Sequence, residues 1–534
     1  MGTDLSALGI VELSTGTRQR IAFNTLGIDN AGRVVGGFDT GSGAIHAFLW
    51  VPTSGPWIDL HEEAFGEEDE ESSFANAIND DGLVVGQYGP DLIDASEAWA
   101  WITDSAIVAV GLHSTDGVLS VAYDLSDGDT VAIVGETTLL CPDESTNYTR
   151  PFRVDGFDGT SPAPAMDVLP VTPPRLFGFA AAVVPAGTSL DAFGGESGEG
   201  ESGEECDVDV SMQQCPFPRY DAFTWLDGGT TDDRLDPLSL DPKFGAFALA
   251  VNSDFDAVGT GWREVEVEST VECGEVALLW PSAVATEDAF PLGDAMPAGQ
   301  EGDSSRAEGV GEREVIGPPQ EPSECVRIVG WNTQAFRGTI WYGDPEGSSF
   351  CAYDLNELVV PCDEEEREFL ITQAFEVNEF GHVAVTMLEL GQQQSIFHAG
   401  LLTCAGDLTG DLRVYSDDLG LLLNEHCGYG SAGACTASNL ALADLNCDGI
   451  VDGGDTGLLL VQWSGEELLC EVPCVKCEEQ QSLMASDPLA AIAAAASSLG
   501  FKSLDEFSVW ASDASEAQLL ATATAIVEIA RSLS

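Results

Sequence analysis

Basic residues are scarce in this chain. Its 534 residues carry 19 Lys+Arg against 91 Asp+Glu, a formal net charge of -72, and only three of the cations are lysines, Lys243, Lys476 and Lys502. Phosphate recognition draws its affinity from clustered Lys and Arg, so nucleic acid is excluded as a partner, and an anionic lipid surface would repel the chain. Long apolar runs are missing too. The richest, Leu489 to Ala496, is mostly alanine and far short of the ~18 residues of a spanning helix, so no membrane span is expected. Met1-Gly-Thr-Asp-Leu5 lacks the charged and apolar regions of a signal peptide, so the expectation is that either a leader has been removed or this start is not the native one. No nucleophile elbow, Walker loop or His-Glu-x-x-His sequence occurs, so no hydrolase or nucleotide enzyme follows from motifs.

What is present is a globular composition, 44% hydrophobic with 24 Phe and 11 Trp. The length suggests roughly two to four domains. The 14 cysteines are even in number and mostly lack catalytic or metal spacing, which points to disulfides in an oxidising compartment and an extracellular or cell-surface location. Seven precede residue 404 and seven follow from Cys404 onward. Complete pairing therefore requires a bridge across that boundary, with Cys404 reaching Cys362 or Cys351 as candidates. Cys470-x3-Cys474-x2-Cys477 has no second Cys/His pair of clear spacing beside it, which favours a disulfide over zinc.

One motif recurs along the first 403 residues. His46-Ala-Phe-Leu-Trp50 aligns with copies ending at Trp101, Val154, Trp225, Trp280, Trp341 and a decayed Leu402. Upstream of most copies lies Gly-x-Val-Val-Gly or a relic of it, as at Gly32 to Gly36 and Gly82 to Gly86. The second unit shows four β-type runs, Phe74–Ile78, Leu83–Gln87, Ala98–Ile102 and Ala106–Val110, with the turn Asn79-Asp-Asp-Gly82 in the first break. Each unit reads as a four-stranded antiparallel sheet that must stack on its neighbours. The expected fold is mainly β, a seven-bladed β-propeller, with a linear solenoid as the alternative. The seventh unit ends after three strands near Thr403, and Leu8-Gly-Ile-Val-Glu-Leu13 is placed to supply the fourth and close the ring.

These residues resemble the HAF repeat family of extracellular repeat proteins, whose consensus pairs Asn-x-x-Gly-x-Val-Val-Gly with His-Ala-Phe-Leu-Trp. Residues 24 to 60 match closely, and the resemblance implies a repeat fold outside the cell without an assigned chemistry. His46 and His398 share a repeat position with Glu97, Arg150, Asp221, Val276 and Arg337, so that position is expected to face solvent. The motif tryptophans are expected to pack between blades. Trp57, Trp262 and Trp331 do not repeat and are the freer candidates for ligand contact. The acidic runs Glu62 to Glu71, Glu196 to Asp209 and Asp363 to Glu368 read as solvated loops.

The sharpest chemical signal is Asp444-Leu-Asn-Cys-Asp-Gly-Ile-Val-Asp-Gly-Gly-Asp455. Oxygens at loop positions 1, 3, 5, 7 and 12 converge on Ca2+, which assigns Asp444, Asn446, Asp448, Ile450 and Asp455 as ligands, the Ile450 contribution being its carbonyl. A sister loop gives Asp407, Thr409, Asp411, Arg413 by its carbonyl, and Asp418, but Leu412 replaces the glycine of the tight turn. Each loop ends in Asp and runs at once into a Leu-rich helix. This pair resembles a type I dockerin (404–480), and the resemblance implies docking to a cohesin partner through Ser416, Asp417, Gly453, Gly454 and the helix faces around Leu421 and Val461. The remaining 481–534, with apolar residues at helical spacing such as Leu519, Leu520, Ile526 and Val527, reads as a helical C-terminal tail.

The expected protein is secreted and non-catalytic, a binding or assembly protein carried by a calcium module. The alternative is a polysaccharide lyase or glycosidase on the same scaffold, distinguished by non-repeating polar residues clustered at one end of the ring channel. Calcium titrated into residues 400–480 is expected to bind saturably with a gain of helix, and Asp444→Ala with Asp448→Ala to abolish both. Heat flow and circular dichroism read the result, and no binding by the oxidised fragment would remove the calcium assignment.

Overall fold

The computed structural model describes residues between 8 and 404, leaving out 13–26, 198–219, 235–245, 293–303, 359–368 and several shorter connections, as well as 1–7 and 405–534. The calcium-loop residues, the dockerin-like helices and the tail lie outside the described residues. The described strands form seven antiparallel sheets in a β-propeller arrangement. Six follow chain order over residues 27–59, 72–111, 117–168, 177–234, 246–291 and 305–354. The first strand of each packs on the preceding sheet, and strand Phe369–Val377 packs against both the sixth sheet and Gly27–Ile28. The contacts therefore return to their start. A linear solenoid would leave its two ends apart.

Closure comes from the N-terminus. Leu8–Glu12 pairs antiparallel with Phe397–Cys404, Leu8 opposite Cys404 and Glu12 opposite Gly400, and so completes the sheet of Phe369–Val377 and Val383–Glu389. That edge would otherwise expose unpaired N–H and C=O groups.

The repeat glycine has a steric cause. In six sheets the first, innermost strand carries a register shift at one repeat position, between Ala75/Ala77, Ala122/Asp124, Ala180/Ala182, Ala248/Ala250, Ala307/Gly309 and Ala374/Glu376. The strand bulges there and turns one extra residue out of the ladder. On the second strand, a Cβ at Gly86, Gly135, Gly259 or Gly330 would lie 1.9–2.0 Å from the carbonyl oxygen of Phe74, Val121, Phe247 or Arg306. Only glycine permits this approach.

The asparagine of the turn joins neighbouring sheets. Asn79 Oδ1 accepts from Leu83 N–H at 2.9 Å, closing its own turn, while Nδ2 donates to the Ser126 carbonyl of the next sheet at 3.1 Å. Asn252 likewise accepts from Asp256 N–H and donates to the Gly311 carbonyl. Asn378 accepts from His382 N–H and donates across the closure to the Asp29 carbonyl at 3.0 Å. The motif tryptophans Trp50, Trp101, Trp280 and Trp341 are buried; Trp101 packs with Val35 and Leu49 of the preceding sheet, and Trp341 with Val258 and Leu279.

Two expectations are corrected. The position of His46 and His398 is not solvent-facing: His398 is 2% exposed and Val276 8%. His46 is half-buried, with Nδ1 2.8 Å from Asp59 Oδ2 and its ring stacked at 4.0 Å on His61. The position varies because each gap between sheets differs, and only Glu97 among the described copies is exposed. The acidic run from Glu62 does not begin as a loop. Leu60–Phe65 is a short helix capped by Asp59, whose carboxylate accepts from Glu62 N–H, and Leu60 and His61 on it are buried. Among the described residues no cysteine is free, and Cys325 and Cys351 are disulfide-bonded.

Deleting residues 1–13 is expected to lower the melting temperature of the sheets as one cooperative unit, since five paired residues are lost. Calorimetry reads this, and unchanged melting would show the strand dispensable. Gly135→Ala should cost about 1–3 kcal/mol by overpacking, checked by denaturant unfolding.

Candidate functional site

The innermost strands surround a cavity of about 1120 Å³ along the ring axis. Among the described residues, four aspartates and five glutamates line it against a single arginine, Arg306. The residues extruded at the bulges, Asn76, Tyr123, Ala181, Leu249, Glu308 and Phe375, all reach this wall. They have no common chemistry, unlike the alanine that precedes each bulge. The bulge therefore supplies a variable position on an invariant frame.

Near the end of the channel where the innermost strands begin, aromatic side chains form an arc. Tyr123 meets Phe179 edge-on at 6.4 Å, and Phe179 meets Phe247 at 5.6 Å. The Arg306 guanidinium sits 5.5 Å over the Phe247 ring and 2.6 Å from Glu308 Oε1. Trp331 Nε1 donates to the same carboxylate at 3.2 Å. Tyr123 donates its hydroxyl to Glu136 Oε1 at 2.8 Å. Burial raises the Glu136 carboxyl against that hydrogen bond, and burial also raises Glu275 against the pull of Arg306.

Deeper along the wall, two carboxyls stand at a repeat position that is otherwise Gly27, Ala77, Ala182, Ala250 and Gly309. Asp124 accepts from Val183 N–H of the next sheet at 2.9 Å, and Glu376 accepts from Ile28 N–H across the closure at 2.7 Å. Desolvation raises Asp124 to about 7 and Glu376 to about 8. At the opposite end, turn residues ring the mouth. Asp80 accepts from Asn30 N–H at 2.9 Å, Asp127 from Asp80 N–H at 3.0 Å, and Glu379 N–H donates to Asn30 Oδ1 at 3.1 Å. Burial, followed by mutual repulsion with Asp80 and Glu312, raises Asp127 and Glu379.

Of the three tryptophans singled out as ligand candidates, Trp331 lines the cavity. Trp57 instead stacks on Phe48 at 4.2 Å and belongs to the packing between sheets; the Trp262 side chain is not described. Glu136, Arg306, Glu308 and Tyr123 were not singled out in the sequence. Glu136 and Trp331 each directly follow the repeat glycine, Gly135 and Gly330, and that offset is a usable signal. Among the described residues no group of three or more His, Cys, Asp or Glu is arranged to hold a metal ion.

No protein-family model matches the chain, and no curated protein matches it. Solved structures similar to it include a puromycin-hydrolyzing peptidase of Mycobacterium tuberculosis (TM-score 0.36, 12% identity, 74% of this chain and 56% of that one). Others are an oligogalacturonate lyase in complex with manganese (0.39, 10%, 76% and 95%) and the Trypanosoma rangeli sialidase (0.34, 10%, 82% and 63%). The chain thus spans little more than half of the peptidase. At this level of likeness no role passes from them to these residues.

Asp124 and Glu376 hold protons more tightly in the fold than at their ordinary values of 3.8 and 4.5. Their contribution to stability is complete below about pH 4 and is lost as pH rises through the folded values of about 7 and about 8. Melting temperature should therefore fall between these limits. Glu376→Gln, which keeps an acceptor for Ile28 N–H, should flatten the fall and raise stability at the alkaline end. A parallel profile in the variant would contradict the assignment.

Proposed function

We propose that this is a secreted binding and assembly protein whose propeller, read as seven-bladed, takes a saccharide in its channel. The observation that carries the reading is the gathering of non-repeating residues, Tyr123, Glu136, Arg306, Glu308 and Trp331, at one end of a channel whose frame is otherwise repetitive. Aromatic faces stack on the C–H faces of sugar rings, and carboxyls and a guanidinium fix hydroxyls. The cysteine content and the HAF resemblance support the extracellular setting. The two Asp-rich loops support a calcium-dependent dockerin-like module that attaches the propeller to a cohesin-bearing partner, Asp444, Asn446 and Asp448 carrying the better site.

The same gathering of non-repeating polar residues is the feature expected of a second reading, a polysaccharide lyase or glycosidase, and a further observation favours it. Glu136 and Asp124 have raised proton affinities in the channel, the property of a general acid. Incubation of the full chain with a polysaccharide panel separates the two. Binding without oligosaccharide release is expected; release abolished by Glu136→Gln would establish the enzyme, and neither binding nor release would remove the saccharide reading.

A further inference from the structure

The charge of the channel and the shape of its mouth narrow the ligand. We infer that the site selects saccharides by charge, taking cationic amino sugars before neutral sugars and rejecting uronates, and that the ring docks on a Phe336–Trp331 platform. The inference rests on the saccharide reading of the channel.

Phe336 lies in the hairpin between Ser323–Asn332 and Arg337–Asp344, at the end of the channel opposite the acidic turns. It is 57% exposed and held at φ 51°, a region that bulky side chains rarely occupy. Asn332 Oδ1 fixes the hairpin by accepting from Ala335 N–H at 2.7 Å. The ring centroid of Phe336 is 5.8 Å from that of Trp331, with 38° between planes, and Trp331 continues into the cavity wall. A strained, exposed aromatic packed on a tryptophan that leads into a lined cavity is the geometry of a ligand contact.

Electrostatics then decide the class. Among the described residues the one lining arginine is engaged by Glu308 and by the Phe247 ring, which leaves none of the described lining cations to meet a uronate or sialyl carboxylate. Four aspartates and five glutamates remain among the described lining residues; Asp124 and Glu376 are partly neutral near pH 7, and the other carboxyls keep the wall negative. A narrow channel lined by one sign of charge concentrates ligands of the other sign. A sugar stacked at Trp331 lies beside Glu308 in a cavity that Glu136 also lines, and on such a carboxylate an ammonium gains an ionic hydrogen bond that a hydroxyl does not.

The test is isothermal titration of the full chain, in about 0.15 M salt to damp diffuse attraction, with three β-1,4-linked disaccharides: diglucosamine, cellobiose and digalacturonate. One diglucosamine should bind per chain about tenfold more tightly than cellobiose, and digalacturonate should give no heat. Phe336→Ala, at an exposed position where folding is unaffected, should weaken both bound sugars about fivefold. Glu136→Gln should narrow the gap between diglucosamine and cellobiose. Digalacturonate binding as tightly as cellobiose would overturn charge selection while leaving a saccharide channel. Diglucosamine binding at several sites, indifferent to Phe336→Ala, would show attraction to the acidic surface and overturn the platform. No binding by any of the three would overturn this inference and the saccharide reading together.

Discussion

Contact between the bulge of an innermost strand and the glycine facing it, seen in four sheets, underlies the rest of the structure. At Gly86, Gly135, Gly259 and Gly330 the backbones approach so closely that a Cβ would sit 1.9–2.0 Å from a carbonyl oxygen, far inside van der Waals contact. That approach lets the strand carry an extra residue, and the extra residue points into the channel. The alanine beside it repeats in all six bulged sheets and a glycine stands opposite in five, with Val385 there in the closing sheet, whereas the extruded residue varies freely. Frame and site are thus written at adjacent positions under opposite pressures.

The sheets are held to one another by a second repeated device. Asn79, Asn252 and Asn378 each spend one side-chain atom on their own turn and the other on the next sheet's carbonyl. Where the asparagine is lost, other groups take over. Ser126 only closes its own turn, by accepting from Ala132 N–H, and Asp124 in the same sheet reaches the next one through Val183 N–H. At the closure Asn378 is joined by Glu376 on Ile28 N–H. Those two carboxyls sit where the other sheets have glycine or alanine, in surroundings that favour their protonated forms.

The same carboxyls give the channel its character. A chain with so large an excess of acid cannot neutralise its axis, and Arg306 is committed within the wall to Glu308. What results is a passage with an aromatic arc at one end, acidic turns at the other and partly protonated carboxyls between. Such a lining treats anionic, neutral and cationic ligands unequally, whatever chemistry follows binding.

Much of this was legible in residue order. The strands of the second unit, the turn at Asn79 to Gly82, the packing of the motif tryptophans and the closing strand Leu8–Glu12 all follow from short-range periodicity and from counting strands, because β-pairing within a repeat is local. The burial of His398 and the helix at Leu60–Phe65 were not legible, because both depend on the gap left by a neighbouring sheet. Nor was the site. Glu136 and Arg306 are 170 residues apart in order and share a channel only because a ring brings equivalent positions of separate sheets to one axis. Residue order determined the repeated unit; ring closure alone decided which of its variable positions face one another, since that proximity belongs to no single repeat.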